Sequence, residues 1–154
     1  MKAKPIPEGY HTVTPYLIVR DAARAMDFYK RAFNATELVR MPGPGGKIMH
    51  AEIKIGDSPI MFADECPEMK ALGPQTIGGS SIFIILYVED VDSLFAQATA
   101  AGAKVERPLE NQFYGDRSAT LIDPFGHRWT ISTHIEDVSP EEMNRRMAAM
   151  KPGA

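Results

Sequence analysis

Two stretches of the sequence are alike: Tyr16–Arg40, "YLIVRDAARAMDFYKRAFNATELVR", and Ile85–Arg107, "ILYVEDVDSLFAQATAAGAKVER". A fixed internal offset is the signature of a repeated structural unit. In each copy a β-branched and aromatic segment is followed by an aspartate and an amphipathic segment, which predicts a strand, a helix N-cap and a helix. The offset is 69 residues at each of three matched pairs, Val19 with Val88, Asp21 with Asp90, and Glu37 with Glu106.

Three short strand-like segments, separated by turns rich in Gly, Pro and Asp, follow each predicted helix. The sequence therefore predicts an α+β fold in which one domain, 1–154, contains two tandem βαβββ modules. A Gly/Pro-containing linker joins the modules, and a C-terminal helix with a Ser139 cap and a Pro140 start follows them. The predicted boundaries are 12–66 for module one, 67–80 for the linker, 81–135 for module two and 139–150 for the last helix.

Charge and composition exclude several classes of partner. The net charge is −3 and no basic cluster is present, which argues against nucleic acid and against an anionic membrane surface. No apolar run is long enough to cross a bilayer, and the first residues do not resemble a signal peptide. Cys66 is the only cysteine, so no internal disulfide forms. These features together predict a cytoplasmic protein.

The segments "DAARAMDFYKRAF" at Asp21–Phe33 and "DPFGHRW" at Asp123–Trp129 resemble the first helix and the terminal hairpin of the vicinal oxygen chelate superfamily. That superfamily includes glyoxalase I, ring-cleaving dioxygenases, fosfomycin-resistance enzymes and bleomycin-resistance proteins. The longer segment Tyr114–Met143 is similar to its PhnB-like branch. The resemblance covers 12–150. It implies a cup-shaped mixed β-sheet with helices outside, and it implies a homodimer.

Enzymes of this superfamily hold a divalent ion in the cup, with ligands from the first and fourth strands of both modules. The ligand positions lie seven residues before the aspartate that opens each helix and four residues after the hairpin Gly126. Carried over residue by residue, and through the repeat, they correspond to Thr14, Met61, Phe83 and Thr130. None of these is a usual ligand of Zn, Mn, Ni or Fe. We therefore expect no superfamily metal and no other cofactor; a divalent ion bound elsewhere is the alternative.

Strand alternation places aromatic, apolar and hydroxyl side chains on the predicted cup surface. Such a surface suits a small apolar or aromatic ligand, although the same residues would equally serve as core filling or as a dimer seam. Arg117 and Tyr114 are ambiguous, because Arg117 either clamps an anionic ligand or bonds to neighbouring loops. The candidate ligand-binding residues are Thr14, Tyr16, Met61, Phe83, Tyr87, Tyr114, Arg117, Thr120 and Thr130.

His50 and Glu52 are the candidate catalytic pair, because residues two apart on a strand project to the same side. They bind an ion with a third ligand such as His11 or His134, act as a base and its orienting carboxylate, or lie on a solvated sheet face. The first hypothesis is a metal-free homodimer that binds a small molecule. The second is a glyoxalase-like lyase, isomerase or dioxygenase using a relocated metal or a His50/Glu52 base. A third is a scaffold whose cup is closed.

Overall fold

The computed structural model describes residues 3–150, which form two four-stranded mixed sheets and four α-helices. Two single-turn 3₁₀ segments, Pro44–Gly46 and Pro67–Met69, complete the secondary structure. The elements in chain order are β1 Tyr16–Val19, α1 Ala22–Phe33, β2 Thr36–Pro42, β3 Ile48–Ile55, β4 Ser58–Asp64, α2 Pro74–Ile77, β5 Phe83–Tyr87, α3 Val91–Ala101, β6 Lys104–Asn111, β7 Asp116–Ile122, β8 Arg128–His134 and α4 Pro140–Ala149.

The strand order is the same in both sheets: β1-β4-β3-β2 in the first and β5-β8-β7-β6 in the second. In each sheet the first strand of the module runs parallel to its fourth strand, and the remaining pairs are antiparallel. Tyr16 pairs with Met61, and Ile85 pairs with Thr130. The predicted α+β fold of tandem βαβββ modules is therefore confirmed, with the strands divided between two sheets.

The aspartates of the repeat cap the two long helices, as the sequence predicts. The Asp21 side chain accepts a hydrogen bond from Arg24 N at 3.0 Å, and the Asp90 side chain accepts one from Ser93 N at 3.0 Å. Each bond satisfies a backbone donor that the first helical turn leaves free. The helices end at Asn34 and Gly102, both in the left-handed conformation that such residues adopt most easily.

One hydrophobic core spans both modules, and α1 lies at its centre. The Tyr29 ring contacts Phe62 of β4 at a centroid distance of 5.7 Å and Trp129 of β8 at 5.4 Å. All three side chains are fully buried. Because a single helix packs against both sheets through large aromatic side chains, the modules are expected to fold as one cooperative unit.

The "DPFG" turn ties the modules together through hydrogen bonds. The buried Asp123 carboxylate accepts bonds from Tyr29 Oη at 2.8 Å, from Trp129 Nε1 at 2.9 Å, and from the backbone N–H groups of Phe125 and His127. His127 Nε2 donates to the carbonyl of Ile18 at 2.9 Å, since a carbonyl only accepts. This motif of module two is therefore bonded to both α1 and β1 of module one.

Strand alternation alone predicts that Val13 and Met49 are buried, and both are exposed, by 81% and 64%. The ladder of β1 begins only at Tyr16, after Pro15, so the alternation of that strand does not reach back to Val13. In β3 the ladder register shifts beside Met41 and Pro42, and Ile48 is buried in the position predicted for Met49.

The C-terminal helix α4 is fixed by Arg146, which pairs with Glu136 at 2.6 Å and donates to the Phe113 carbonyl at 3.0 Å. Its Met147 and Met150 side chains are about half exposed. Within residues 3–150, no helix has the length and apolar character needed to cross a membrane.

Candidate functional site

Each sheet has one face turned away from the helices, and these two faces carry most of the candidate site residues. The module-one face has Tyr16, Met61 and Glu52 in a row across three adjacent strands. The module-two face has Ile85, Thr130 and Thr120 in the corresponding row. On these faces Tyr16 and Ile85 are exposed and available for contacts outside the fold, whereas Thr120 is buried.

A chain of hydrogen bonds crosses the module-one face. Tyr16 Oη lies 3.0 Å from His50 Nδ1, and His50 Nε2 lies 2.8 Å from Glu52 Oε1. The hydroxyl of Tyr10 donates to the second carboxylate oxygen of Glu52. An ionised carboxylate only accepts, so His50 Nε2 donates to Glu52. In the neutral imidazole, Nδ1 is then the acceptor of a hydrogen bond from the Tyr16 hydroxyl. We call this set, Tyr16–His50–Glu52–Tyr10, the Tyr–His–Glu chain.

The charges of the chain follow from its hydrogen bonds. Bonds from His50 and from Tyr10 hold the pKa of Glu52 below its usual value. Burial, together with the nearby Glu52 charge, raises the pKa of Tyr16. Burial and the bond to Glu52 raise the pKa of Tyr10 to about 12. At neutral pH the Tyr–His–Glu chain therefore contains one carboxylate and two protonated phenols.

Four of the predicted ligand-binding residues surround one cavity of about 540 Å³ on the module-two face: Phe83, Tyr114, Thr120 and Thr130. The hydroxyls of Thr120 and Thr130 lie 3.1 Å apart, and Phe83 is 39% exposed. The Arg128 guanidinium carbon lies 3.9 Å from the centre of the Phe83 ring, on which it is positioned for a cation–π contact. The cavity thus combines aromatic walls with hydroxyl groups, and Arg107, Glu110 and Gln112 also line it.

The remaining candidates lie elsewhere. Tyr16 borders a second cavity of about 670 Å³, beside the Tyr–His–Glu chain. Arg117 points toward the helix side of its sheet, where both of its bonds to Asp92 are 2.8 Å long. Tyr87 donates to Asp116 at 2.8 Å and lines a groove between the modules. Thr14 lies before the start of β1 and is partly buried.

The two histidines suggested as third ion ligands have separate environments. His134 is bonded to Asp116 and Asp137 on the module-two face, at 2.8 and 2.9 Å. His11 lines the groove between the modules. In the part of the chain that the structure describes, 3–150, no cluster of three or more His, Cys, Asp or Glu side chains is arranged to hold a metal ion.

The family-type metal position has an unsuitable donor set. Its four residues supply two neutral hydroxyls, a thioether and a phenyl ring, and the Thr130 hydroxyl is already bonded to Thr120. Divalent ions of this class need imidazole, carboxylate or thiolate donors. The residues present therefore do not fit such an ion.

Three residues of these polar clusters are absent from the predicted site: Tyr10, Asp116 and Asp137. Tyr10 precedes the first strand, and its contact with Glu52 joins residues 42 positions apart, which no local pattern reveals. Asp116 is 95% buried (5% exposed) and binds both Tyr87 and His134. In the sequence, the feature that could have pointed to Asp116 is a single carboxylate at the start of a predicted strand, directly after Gly115. In the structure, the backbone of Gly115 passes close to the carbonyl of Glu136.

Comparison with known proteins gives consistent matches. The family model described as Glyoxalase/Bleomycin resistance protein/Dioxygenase superfamily matches residues 10–131. An uncharacterized protein of Mycobacterium bovis is 42% identical over 144 residues, which cover 92% of this chain and 95% of the relative. An uncharacterized protein of Mycobacterium tuberculosis has the same identity, with coverage of 92% and 85%.

Among solved structures, TioX from Micromonospora sp. ML1 superposes with a TM-score of 0.66 at 30% identity, covering 81% of this chain and 99% of that one. The fosfomycin resistance protein FosX from Listeria monocytogenes gives 0.63 at 20% identity, covering 86% and 97%, and this is a likeness of fold alone. The family match and the repeated module lead to one conclusion. The chain belongs to the Glyoxalase/Bleomycin resistance protein/Dioxygenase superfamily.

Proposed function

We propose that this protein binds a small, largely apolar or aromatic molecule in a cup formed by its sheet faces. The observation that carries the proposal is the module-two cavity, where Phe83, Ile85 and Tyr114 stand beside the hydroxyls of Thr120 and Thr130. Ligand sites of soluble proteins combine apolar and aromatic walls with a few polar groups in this way. The aromatic rings offer flat surfaces on which a planar ligand stacks.

The cup is proposed to be completed in a homodimer. Ile85 and Tyr87 are 57% and 66% exposed on the module-two face, and Tyr16 is 48% exposed on the module-one face. Exposed apolar and aromatic side chains on a sheet face are features of an interface or a binding site. In a dimer with two-fold symmetry, the module-one face of each protomer would lie against the module-two face of its partner, so that both faces are covered.

Binding is proposed to proceed without the superfamily metal and without another cofactor, because the four family positions lack suitable donors. We also assign the chain to the PhnB-like branch and to the cytoplasm, on the similarity of Tyr114–Met143 and on the lone Cys66. With a net charge of −3, neither nucleic acid nor an anionic membrane is an expected partner.

The second candidate function is a glyoxalase-like lyase or isomerase, and the Tyr–His–Glu chain favours it. The chain has the order of a proton relay: a carboxylate, an imidazole and a hydroxyl in successive hydrogen-bond contact. A dioxygenase is a weaker alternative, because it requires an ion at a relocated site.

Equilibrium dialysis with 4-nitroanisole, a neutral aromatic probe, tests the binding function. We expect saturable binding, and Phe83→Ala should weaken it about three- to tenfold through the loss of aromatic contact. Ile77→Ala is the matched control, because Ile77 is an exposed residue on α2, outside the cavities described above. Absence of saturable binding, or equal affinity in wild type and Phe83→Ala, would refute the proposal for this cavity.

A further inference from the structure

The geometry of the Tyr–His–Glu chain determines which of its atoms can meet a ligand. Both ring nitrogens of His50 are bonded within the protein, Nδ1 to Tyr16 and Nε2 to Glu52. Both carboxylate oxygens of Glu52 are also occupied, one by His50 and one by Tyr10. His50 therefore has no free nitrogen for a ligand. Tyr16, which is 48% exposed, is the end of the Tyr–His–Glu chain that borders a cavity.

Tyr16 stands at the border between this chain and an apolar cavity. Its side chain is 48% exposed and lines the cavity of about 670 Å³ on the module-one face. The phenolic oxygen donates its proton to His50, which leaves its lone pairs free to accept a hydrogen bond from a ligand. The apolar side chains that line the same cavity are Ile18, Pro44, Ile48, Met49, Ala63, Met69 and Ala71.

We propose that Tyr16 accepts the proton of an acidic hydroxyl on the ligand, a phenol or an enol, and relays a proton to His50. The ligand proton moves to Tyr16 Oη as the proton of the phenol moves to His50 Nδ1. The products are a ligand anion, a neutral Tyr16 and a His50 imidazolium paired with Glu52. No electrons are transferred and no other reactant is needed. This inference rests on the proposed function, because the ligand must first enter the cup.

The charges around the cavity explain why the ligand should arrive protonated. Its lining includes three carboxylates, Asp64, Glu65 and Glu68, and a single cation, Lys47. This excess of negative charge opposes the entry of an anion. A neutral hydroxyl enters without that penalty. Once the ligand proton has been relayed, the imidazolium of His50 supplies the balancing positive charge beside the new anion.

Glu52 and Tyr10 are positioning residues in this scheme. Glu52 fixes the tautomer in which Nδ1 is the acceptor, and it stabilises the imidazolium that forms. Tyr10 holds the second oxygen of Glu52 and so fixes the carboxylate. Neither residue contacts the ligand.

The probe for this proposal is 4-nitrophenol, whose anion is yellow, and the matched probe is 4-nitroanisole, which has no acidic proton. Binding is measured at a pH where free 4-nitrophenol is mostly protonated. With wild type we expect the phenolate absorbance to appear on binding. Calorimetry in two buffers of different ionisation enthalpy should show no net proton release, because the proton stays on His50.

Three variants separate the roles of the chain. Tyr16→Phe keeps the ring and removes only the hydroxyl, and we expect at least about tenfold weaker 4-nitrophenol binding with no phenolate band. His50→Gln should abolish the band, and Glu52→Gln should lower its amplitude. All three should bind 4-nitroanisole as wild type does, and Ile77→Ala should match wild type with both probes.

The outcomes are distinct for the two proposals. A phenolate band that persists in Tyr16→Phe, release of one proton per bound phenolate, or 4-nitrophenol bound only as the neutral phenol would each overturn the relay. In those cases, binding of 4-nitroanisole would leave the proposed function standing. If neither probe binds to wild type, both proposals fail.

Discussion

The hydrogen bond between Tyr29 and Asp123 joins α1 of module one to the hairpin turn of module two. The substitution Tyr29→Phe removes this hydrogen bond and no other. The substitution keeps the buried ring and its contacts with Phe62 and Trp129. It removes one of four donors to the Asp123 carboxylate. Hydrogen bonds to charged groups contribute about 1.5–3 kcal/mol, so we expect a loss of about 2 kcal/mol in the free energy of unfolding.

Urea unfolding followed by the fluorescence of Trp129, the only tryptophan, measures this loss directly. For a chain of this size, about 2 kcal/mol corresponds to a Tm lower by about 4–8 °C. The m-value should not change, because the surface exposed on unfolding is the same. Tyr114→Phe is the control, since the Tyr114 side chain is 40% exposed. A loss below about 0.5 kcal/mol, comparable to an ordinary surface change, would refute the reasoning.

The same variant has a pH signature. Burial, with the charge and hydrogen bond of Asp123, raises the pKa of Tyr29 well above its usual value. A raised pKa in the folded state means that its contribution to stability is complete below the unfolded value, about 10, and is lost as pH rises toward the folded value. Wild type should therefore lose stability above about pH 10 more steeply than Tyr29→Phe does. Parallel alkaline unfolding curves would contradict this assignment.

Three further predictions concern the faces of the sheets. Ile85→Glu should convert the proposed dimer to a monomer in sedimentation experiments, because it places a charge on the exposed apolar face; a monomeric wild type would contradict the dimer. Metal analysis of the purified protein should find no stoichiometric divalent ion, and one ion per chain would overturn the metal-free proposal. Bonds to Asp116 and Asp137 raise the pKa of His134, so an NMR titration should place it above 6.5 and Asp116→Asn should lower it. Because the folded value is raised, the stabilisation from His134 is complete below the unfolded pKa and is lost as the pH rises through the folded one; a His134 pKa at or below 6.5 would contradict the pairing.

The fold could be predicted from local sequence because its determinants are local. Asp21 and Asp90 cap helices within one turn of their own positions, and the offset between them aligns the two modules. The two wrong burial predictions, for Val13 and Met49, arise where a local pattern is interrupted. Pro15 precedes the β1 ladder, so Val13 is exposed, and a register shift places Ile48 rather than Met49 in the core.

The candidate site was less predictable, because its contacts are between distant residues. Alternation places His50 and Glu52 on one side of β3, but it gives no sign that Tyr16 and Tyr10 occupy their remaining atoms. Arg117 illustrates a different limit. Its partner, Asp92, belongs to α3, and the strand pattern alone does not distinguish that ion pair from an open anion site.

The separation between the core and the sheet faces has a consequence for protein design. The turn at Asp123 is used for hydrogen bonds that hold the modules together, whereas none of the four family metal positions belongs to the hydrophobic core. Replacing them with His and Glu would therefore leave the interior intact. Thr14→His, Met61→Glu, Phe83→His and Thr130→Glu together would install a nitrogen and oxygen ligand set of the kind that zinc binds.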